Sequence, residues 1–442
     1  MMACTNERIN VTGTAQLSGT VVPRLLTIRP GPSRYTILSA AGGTTAPSLG
    51  LDKSAFLYSL QLLYPNPNDV VLAITVDLMP TGLNRNQMAV STNIKDVLNN
   101  GGGGLTPLTN AMVFGIRSLA EYRNALDQLS PEAVLNSASS LVGTGEEFTS
   151  DLFHCPVTDT AYAFIAEGQC VWVRPEGRYL QRDRTDENVG YETTTGAFSA
   201  GAQLALGGGW FLGGGLGYEV SSLDTGAGAS TDSDRFMGGS ILKYQTGPFL
   251  MAAAVTGGIG NFEMDRNISV GTFQAVALSD YDIGFVVGQM RAAYLLSNGG
   301  WYAKPLVDLN LTYLDRDSIS ETGGGAANLI IGGSDDTYFS VTPAVEFGTE
   351  FAAAGVTVRP FVKAGVAFYS DDQHALTARF AGAPTGTDAF TIRAERDDVF
   401  ADIEAGATVF NTAGATLSMS YEGRYSDNTD QHGFSLKGTA PF

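Results

Sequence analysis

Cys155 and Cys170 flank the stretch PVTDTAYAFIAEGQ, and a third cysteine, Cys4, stands alone near the start. Two thiols so placed are either a disulfide or unrelated, and the redox compartment decides between them. The three histidines, His154, His374 and His432, are far apart in sequence, and His154-Cys155 lacks the partner spacing of a zinc site. Asp335-Asp336, Asp371-Asp372 and Asp397-Asp398 read more simply as solvated loop residues than as calcium ligands. The GGGG at 101–104 is not followed by Gly-Lys-Ser/Thr, so no phosphate loop is implied. Neither a Gly-x-Ser-x-Gly elbow nor a serine with His and Asp at recognisable spacing occurs. No catalytic centre, metal or cofactor is expected.

The remaining chemistry lies in charges set on alternating strands. In 414–427, Ala415, Leu417, Met419, Tyr421 and Tyr425 share one parity, while Glu422 and Arg424 take the other. In 355–370, Val356, Val358, Val362, Val366 and Phe368 oppose Arg359, Lys363 and Tyr369; in 336–351, Phe339, Val341, Val345 and Phe347 oppose Glu346. An Arg or Lys facing lipid at mid-membrane costs about 2–4 kcal/mol, so the charged parity is expected to face a wet lumen and the apolar parity lipid.

Composition fits a membrane wall. Charged residues are 16% of 442, against roughly 25% in soluble domains, and 54 are glycine. A net charge of −19 argues against nucleic acid, which needs a basic footprint. The longest charge-free run, 193–218, could span a bilayer as a helix on length alone. Its glycines each cost a helix about 1 kcal/mol, and its parity is that of a hairpin with one oily face: Phe198, Ala200, Ala202, Leu204 and Leu206, then Trp210, Leu212, Leu216 and Tyr218. A soluble β-sandwich is the competing architecture. Start residues MMACTNERIN carry no apolar export signal, so a fragment or a misplaced start is expected for an envelope protein.

About twelve such segments follow residue 169, near 170–182, 190–206, 209–222, 233–246, 248–264, 280–296, 300–315, 336–351, 355–370, 396–410, 414–427 and 431–442. Most exceed the roughly 5–6 residues of a globular strand. Long polar loops tend to alternate with tight glycine turns, the layout of an outer-membrane barrel. Upstream, residues 1–80 read as short strands, with Val70, Leu72, Ile74, Val76 and Leu78 on one parity. Residues 81–168 turn helical: Leu83, Val90, Ile94 and Val97 keep helical spacing until NNGGGG, and Leu119, Tyr122 and Leu126 share a second face. Ser130-Pro131-Glu132 reads as a capped helix start, and Thr144 with Glu147 has capping-box spacing ahead of Phe148, Leu152 and Phe153.

This order, strands, then helices, then a terminal barrel, resembles the C-terminal part of a bacterial autotransporter (type V secretion) along essentially the whole chain. LNRNQMAVSTNIKDVL with YRNALDQLSPEAVL resembles the family's linker, CVWVRPEGR its first barrel strand, and WYAKPLVDLNLTY with Glu321-Thr322-Gly323 a mid-barrel strand and loop. YEGRYSDNTDQHGFSLKGTAPF resembles its closing hairpin.

The resemblance implies an all-β fold. An about 12-stranded antiparallel transmembrane barrel with a helix in the pore occupies 169–442, after a helical linker at 81–168 and the end of a β-helical passenger at 1–80. It implies export and surface anchoring of the chain's own passenger, with the outer-membrane bilayer, the barrel-assembly machinery and the passenger as partners, the barrel a monomer. The pore helix is expected to include 144–155, with Thr144, Glu147, Phe148 and Leu152 against a lumen lined by Glu219, Lys304, Arg359, Lys363, Glu422, Arg424 and Lys437. In the oxidising periplasm Cys155 and Cys170 would pair where helix and first strand meet, closing a loop worth about 3 kcal/mol. Phe434, Leu436, Gly438, Ala440 and Phe442 form the expected assembly signal, imperfect because Pro441 removes a ladder donor. Self-cleavage at Asn136 or Asn99-Asn100 lacks the subfamily motif; Asn99-Asn100 reads as a helix end. A porin or adhesin barrel is the alternative, and a surface-displayed enzyme a third reading.

Overall fold

Side-chain alternation and glycine turns fold the C-terminal part of the chain into a closed sheet. The computed structural model describes residues 8–25, 30–52, 54–157, 162–353, 355–370, 374–411 and 413–442; Cys4 and Asp371-Asp372 lie outside them. The sheet comprises β1 (Cys170–Arg182), β2 (Tyr191–Gly207), β3 (Trp210–Thr225), β4 (Ala229–Thr246), β5 (Phe249–Val270), β6 (Phe273–Tyr294), β7 (Trp301–Arg316), β8 (Ser334–Thr349), β9 (Val356–Tyr369), β10 (Val399–Phe410), β11 (Thr416–Tyr425) and β12 (Thr429–Pro441). Each pairs antiparallel with the next, and β12 pairs back with β1 from Thr429↔Arg182 to Pro441↔Cys170. The closure removes both sheet edges, which a bilayer requires.

One parity forms an apolar belt: Phe198, Leu212, Leu216, Val255, Ile259, Val286, Leu311, Phe347, Val362 and Phe434 all lie exposed on the outside. Aromatics bracket the belt, with Trp210 against Tyr244 at the short-turn end and Tyr218 against Phe236 near the other, each pair 4.8 Å between centroids. Above the second girdle the same outward parity turns acidic: Asp232, Glu263 and Asp280 are register partners across β4–β6. Acids so placed belong above the hydrocarbon band. At the short-turn end Gly207, Gly208 and Gly209 all take positive φ, and a Cβ on Gly209 would run into the Gln245 carbonyl. Only glycine fits that turn.

Lys243 and Tyr244 compete for the inside of β4 by sequence. Lys243 wins, fully buried, because Glu167 supplies a carboxylate 2.8 Å from its ammonium.

The helices gather at the long-loop end. α1 (Arg85–Asn99) starts on a capping box between Asn84 and Gln87. α2 (Thr106–Gly115) escapes sequence detection because Ala111, Met112, Val113 and Phe114 run without amphipathic period. α3 (Leu119–Gln128) is capped by Ser118, and α4 is Glu132–Asp151. Val90, Ile94, Met112, Tyr122 and Leu126 pack with Ile74 and Val76 below the N-terminal strands and with Ile268 and Val270 on β5. Burial pushes the Tyr122 hydroxyl up in pKa, and that hydroxyl donates to the Leu78 carbonyl at 2.9 Å.

The long loops are less irregular than their composition suggests. Ile319–Ser320, Leu329–Ile331, His374–Phe380 and Phe390–Ala394 form a small antiparallel sheet beside α1, with Leu329, Ile331, Leu376 and Ile392 buried. At the N-terminus, Ile9–Val11 pairs parallel with Leu38–Ala40 and Ala15–Val21 parallel with Thr44–Leu51, offsets of about 29 residues. Antiparallel pairings of Gly31–Ala40 and Tyr58–Asn66 with Asp69–Val76 complete that region, so only part of it has the parallel pairing of β-helix rungs.

Candidate functional site: the plugged lumen

α4 enters the barrel from the long-loop end. It is a continuous 20-residue helix that opens at the Ser130-Pro131-Glu132 start; Thr144 lies within it rather than capping a helix of its own, and it ends at Asp151, short of the expected 155. Gly143 and Gly145 mimic helix breakers, but Gly145 is required by contact: a Cβ there would sit 2.8 Å from Val287 and 3.0 Å from Phe285 on β6. Packing overrides the propensity cost. Thr144 is therefore no cap. Its hydroxyl donates to Glu219 at 2.6 Å and accepts from Arg235 at 2.7 Å. The helix begins after Pro131 without a side-chain cap, and Ser130 Oγ has no partner among the described residues. Its first residue, Glu132, instead accepts from the Val189 amide at 2.6 Å.

One wall of the lumen is shaped to this helix. The inward parity of β3 is Gly213, Gly215, Gly217 and Glu219, and β4 adds Gly239. A Cβ on Gly217 would meet the Phe148 ring at 2.8 Å; on Gly215 or Gly239 it would meet Leu152 at 3.1 Å. The absent side chains form a groove that admits Phe148 and Leu152, so both are buried.

Charges pin the helix where it touches that wall. Glu219 also takes Arg235 Nη1 at 2.6 Å and contacts Arg178, which reaches Glu147 on the helix. Arg174 bridges Asp151 of α4 and Glu422 of β11. Ser199 donates to the Asp151 carboxylate at 2.8 Å, and Lys437 to the Asp151 carbonyl at 2.8 Å. Across the lumen, Tyr369 donates to Glu146 at 2.7 Å and Gln431 to Glu147 at 2.7 Å. Buried charges of this kind contribute specificity of placement more than net stability, since desolvation offsets most of their attraction.

The other wall stays wet. A cavity of about 270 Å³ lies between α4 and β6–β12. Its charges pair with each other: Lys304–Glu346 at 2.9 Å, Lys363–Glu404 at 2.5 Å, Arg291–Asp308 at 2.6 Å and Arg424–Asp402 at 2.8 Å. At the short-turn end the segment after α4 floors this cavity. Phe164 stacks on Tyr302 at 4.4 Å, and Arg359 donates to the Ala163 carbonyl at 3.1 Å. A Cys155–Cys170 disulfide, Cα atoms 6.0 Å apart, ties this segment to the base of β1.

Of the seven expected lumen residues, Glu219 and Lys437 touch the helix directly. Glu422 and Arg424 reach it through Arg174 and Tyr369, and Lys304, Arg359 and Lys363 line the cavity and its floor. On β12, Phe434, Leu436 and Ala440 point outward, as does the terminal Phe442, and Gly438 shares their parity. Arg174, Arg178, Arg235 and Asp151, which hold the helix, are not singled out by the sequence, nor is the glycine groove. Parity is the available signal: each of the three cations sits opposite the lipid-facing residues of its strand. Asn99 is the last residue of α1, and Asn136 is buried on α4. Among the described residues no cluster of His, Cys, Asp or Glu is arranged to hold a metal.

A closed twelve-stranded barrel with an apolar belt, a wet lumen and an internal helix defines an outer-membrane translocator architecture. Comparison with known proteins agrees. The model of the autotransporter β-domain matches residues 171–422, more than half of the chain, and the protein belongs to that family. It is similar to an extracellular serine protease of Serratia marcescens, 24% identical over 324 residues, which are 71% of this chain and 30% of that protein. The translocator domain of the autotransporter NalP from Neisseria meningitidis has the same fold, with a TM-score of 0.55 at 13% identity, over 70% of this chain and 98% of that one. The transport unit of AIDA-I from Escherichia coli aligns with a TM-score of 0.45 at 10% identity, over 67% and 98%. The barrel resides in the bacterial outer membrane with the passenger side at the cell surface.

Proposed function

We propose that residues 169–442 form the pore through which the chain's own N-terminal passenger reaches the surface, and that α4 is the segment left in the pore when export ends. Residues 1–80 are then the end of the passenger and 81–168 the linker and pore helix. The observation carrying this reading is the position of α4: one continuous helix joins the surface-side strands to the periplasmic start of β1 through the lumen. The passenger crosses C-terminal end first, and folding of its last strands outside helps drive export. The barrel-assembly machinery recognises β12, with Phe434, Leu436 and Phe442 as its outward signature, and the barrel works as a monomer. The domain acts by geometry and folding, without catalysing a reaction.

An epitope with a protease site placed in the exposed turn at Pro67-Asn68 tests the reading. Cleavage by protease added to intact cells is expected. Protection until the outer membrane is permeabilised contradicts export.

A further inference from the structure

We propose that the upper lumen holds a small oxyanion of the phosphate class, bound between α4, β2 and the loop that follows the small surface sheet. A second cavity, about 80 Å³, lies there beside the first half of α4. A water needs roughly 10–15 Å³ of such space, so the cavity has room for several waters or one oxyanion.

Its lining is strongly cationic. Arg178, Arg182, Arg396 and Arg424 border it, and Glu395 is the sole acidic residue to do so among the described residues. Arg178, Arg182 and Arg424 are paired with Glu147, Asp397 and Asp402. Arg396 has no ion-pair partner among the described residues. Its guanidinium carbon lies over the Tyr369 ring, 3.9 Å from the centroid, which holds the fork without neutralising it.

Four polar atoms on residues that border this cavity have no hydrogen-bond partner among the described residues: Asn136 Nδ2, Thr193 Oγ1, His374 Nε2 and Arg396 Nη1. Asn136, Thr193 and His374 are only 5%, 5% and 4% exposed. A buried polar group is costly to leave without a partner, so four around one void call for a common one. Asn136, Thr193 and Arg396 offer hydrogens, and His374 offers one when its ring is protonated. His374 is held in place from its other side, Nδ1 lying 3.1 Å from Asp336 and the ring 4.2 Å from Tyr338. Donors arriving from a helix, a barrel strand and the surface loops suit an acceptor with several oxygens. Bound there, the anion would join the plug, the wall and the surface sheet. The cavity opens within the lumen rather than on the lipid-facing surface, so the source is free anion rather than a lipid headgroup.

The test is equilibrium binding of radiolabelled inorganic phosphate to the full chain in neutral detergent, against chloride at matched ionic strength. Saturable, stoichiometric binding is expected, weakened about tenfold or more in Arg396→Gln and in Asn136→Leu. Each variant's folding is checked by its heat-dependent gel mobility, and Arg396→Lys is expected to retain part of the affinity if Arg396→Gln fails to fold. Absence of saturable binding means a water-filled cavity and overturns the proposal, as does unchanged affinity in the folded Arg396→Gln or Asn136→Leu. Displacement of phosphate by purified lipopolysaccharide would overturn the assignment to a free anion.

Discussion

The two walls of the lumen meet the same helix in opposite ways. On β3 and β4 the wall is stripped to glycine at Gly215, Gly217 and Gly239, and Phe148 and Leu152 fill what is missing. Along β7–β12 the wall keeps long charged side chains that pair with one another around a cavity of about 270 Å³. One side is dry and shape-complementary; the other is wet and self-neutralised. A plug that must be held, in a pore that must pass chain, gains from the division. The dry side supplies position through close packing, while the wet side leaves room that costs little to keep hydrated.

The largest break in this contrast is expected at Glu219. Glu219→Leu strands Arg235 without its carboxylate, takes one carboxylate from Arg178 and cuts the link to Thr144. Loss of about 3–5 kcal/mol is expected, since removing one partner leaves buried charge uncompensated. Urea unfolding of the refolded barrel measures it, and a loss below about 1 kcal/mol would place this network in water.

A matched pair of valines sharpens the comparison. Gly217→Val drives methyls into Phe148 on the dry wall and is expected to cost about 1–3 kcal/mol by overpacking. Thr342→Val faces the cavity on β8 and is expected to change stability by less than about 0.5 kcal/mol. Equal effects in the two unfolding curves would erase the difference between the walls.

The smallest effect lies above both walls, at Asp397. Burial alone would raise its carboxyl, but donors from Ser426, Asn428 and Thr429 and the Arg182 cation hold it below the ordinary carboxylate range. A depressed folded value means stabilisation present above the unfolded value near pH 4 and lost as pH falls through the folded one. Asp397→Asn is therefore expected to cost at most about 1 kcal/mol at neutral pH, with the gap to the parent closing in acid. A gap that widens in acid would reverse the sign.

Parity alone exposed the barrel, because period-two alternation with charges on one side is a property of single strands. Arg359 opposite Val358, and Glu422 opposite Tyr421, needed no partner to be placed. The plug was less legible. Gly143 and Gly145 look like breakers until Phe285 and Val287 stand beside them, and α2 has no polar face to give it a period. The glycines of β3 were visible as a parity, yet their purpose lay on a helix more than sixty residues upstream. The surface sheet was hidden for a similar reason: Leu329–Ile331 and Phe390–Ala394 are too short to read as strands until they pair.

Single-channel conductance in planar bilayers probes the plugged lumen most directly, comparing the full chain with a variant lacking residues 132–155. With α4 seated in the glycine groove, the full chain should conduct little and the deleted form strongly. Equal, large conductance from both would mean that the helix does not occupy the pore, and would leave a porin in its place.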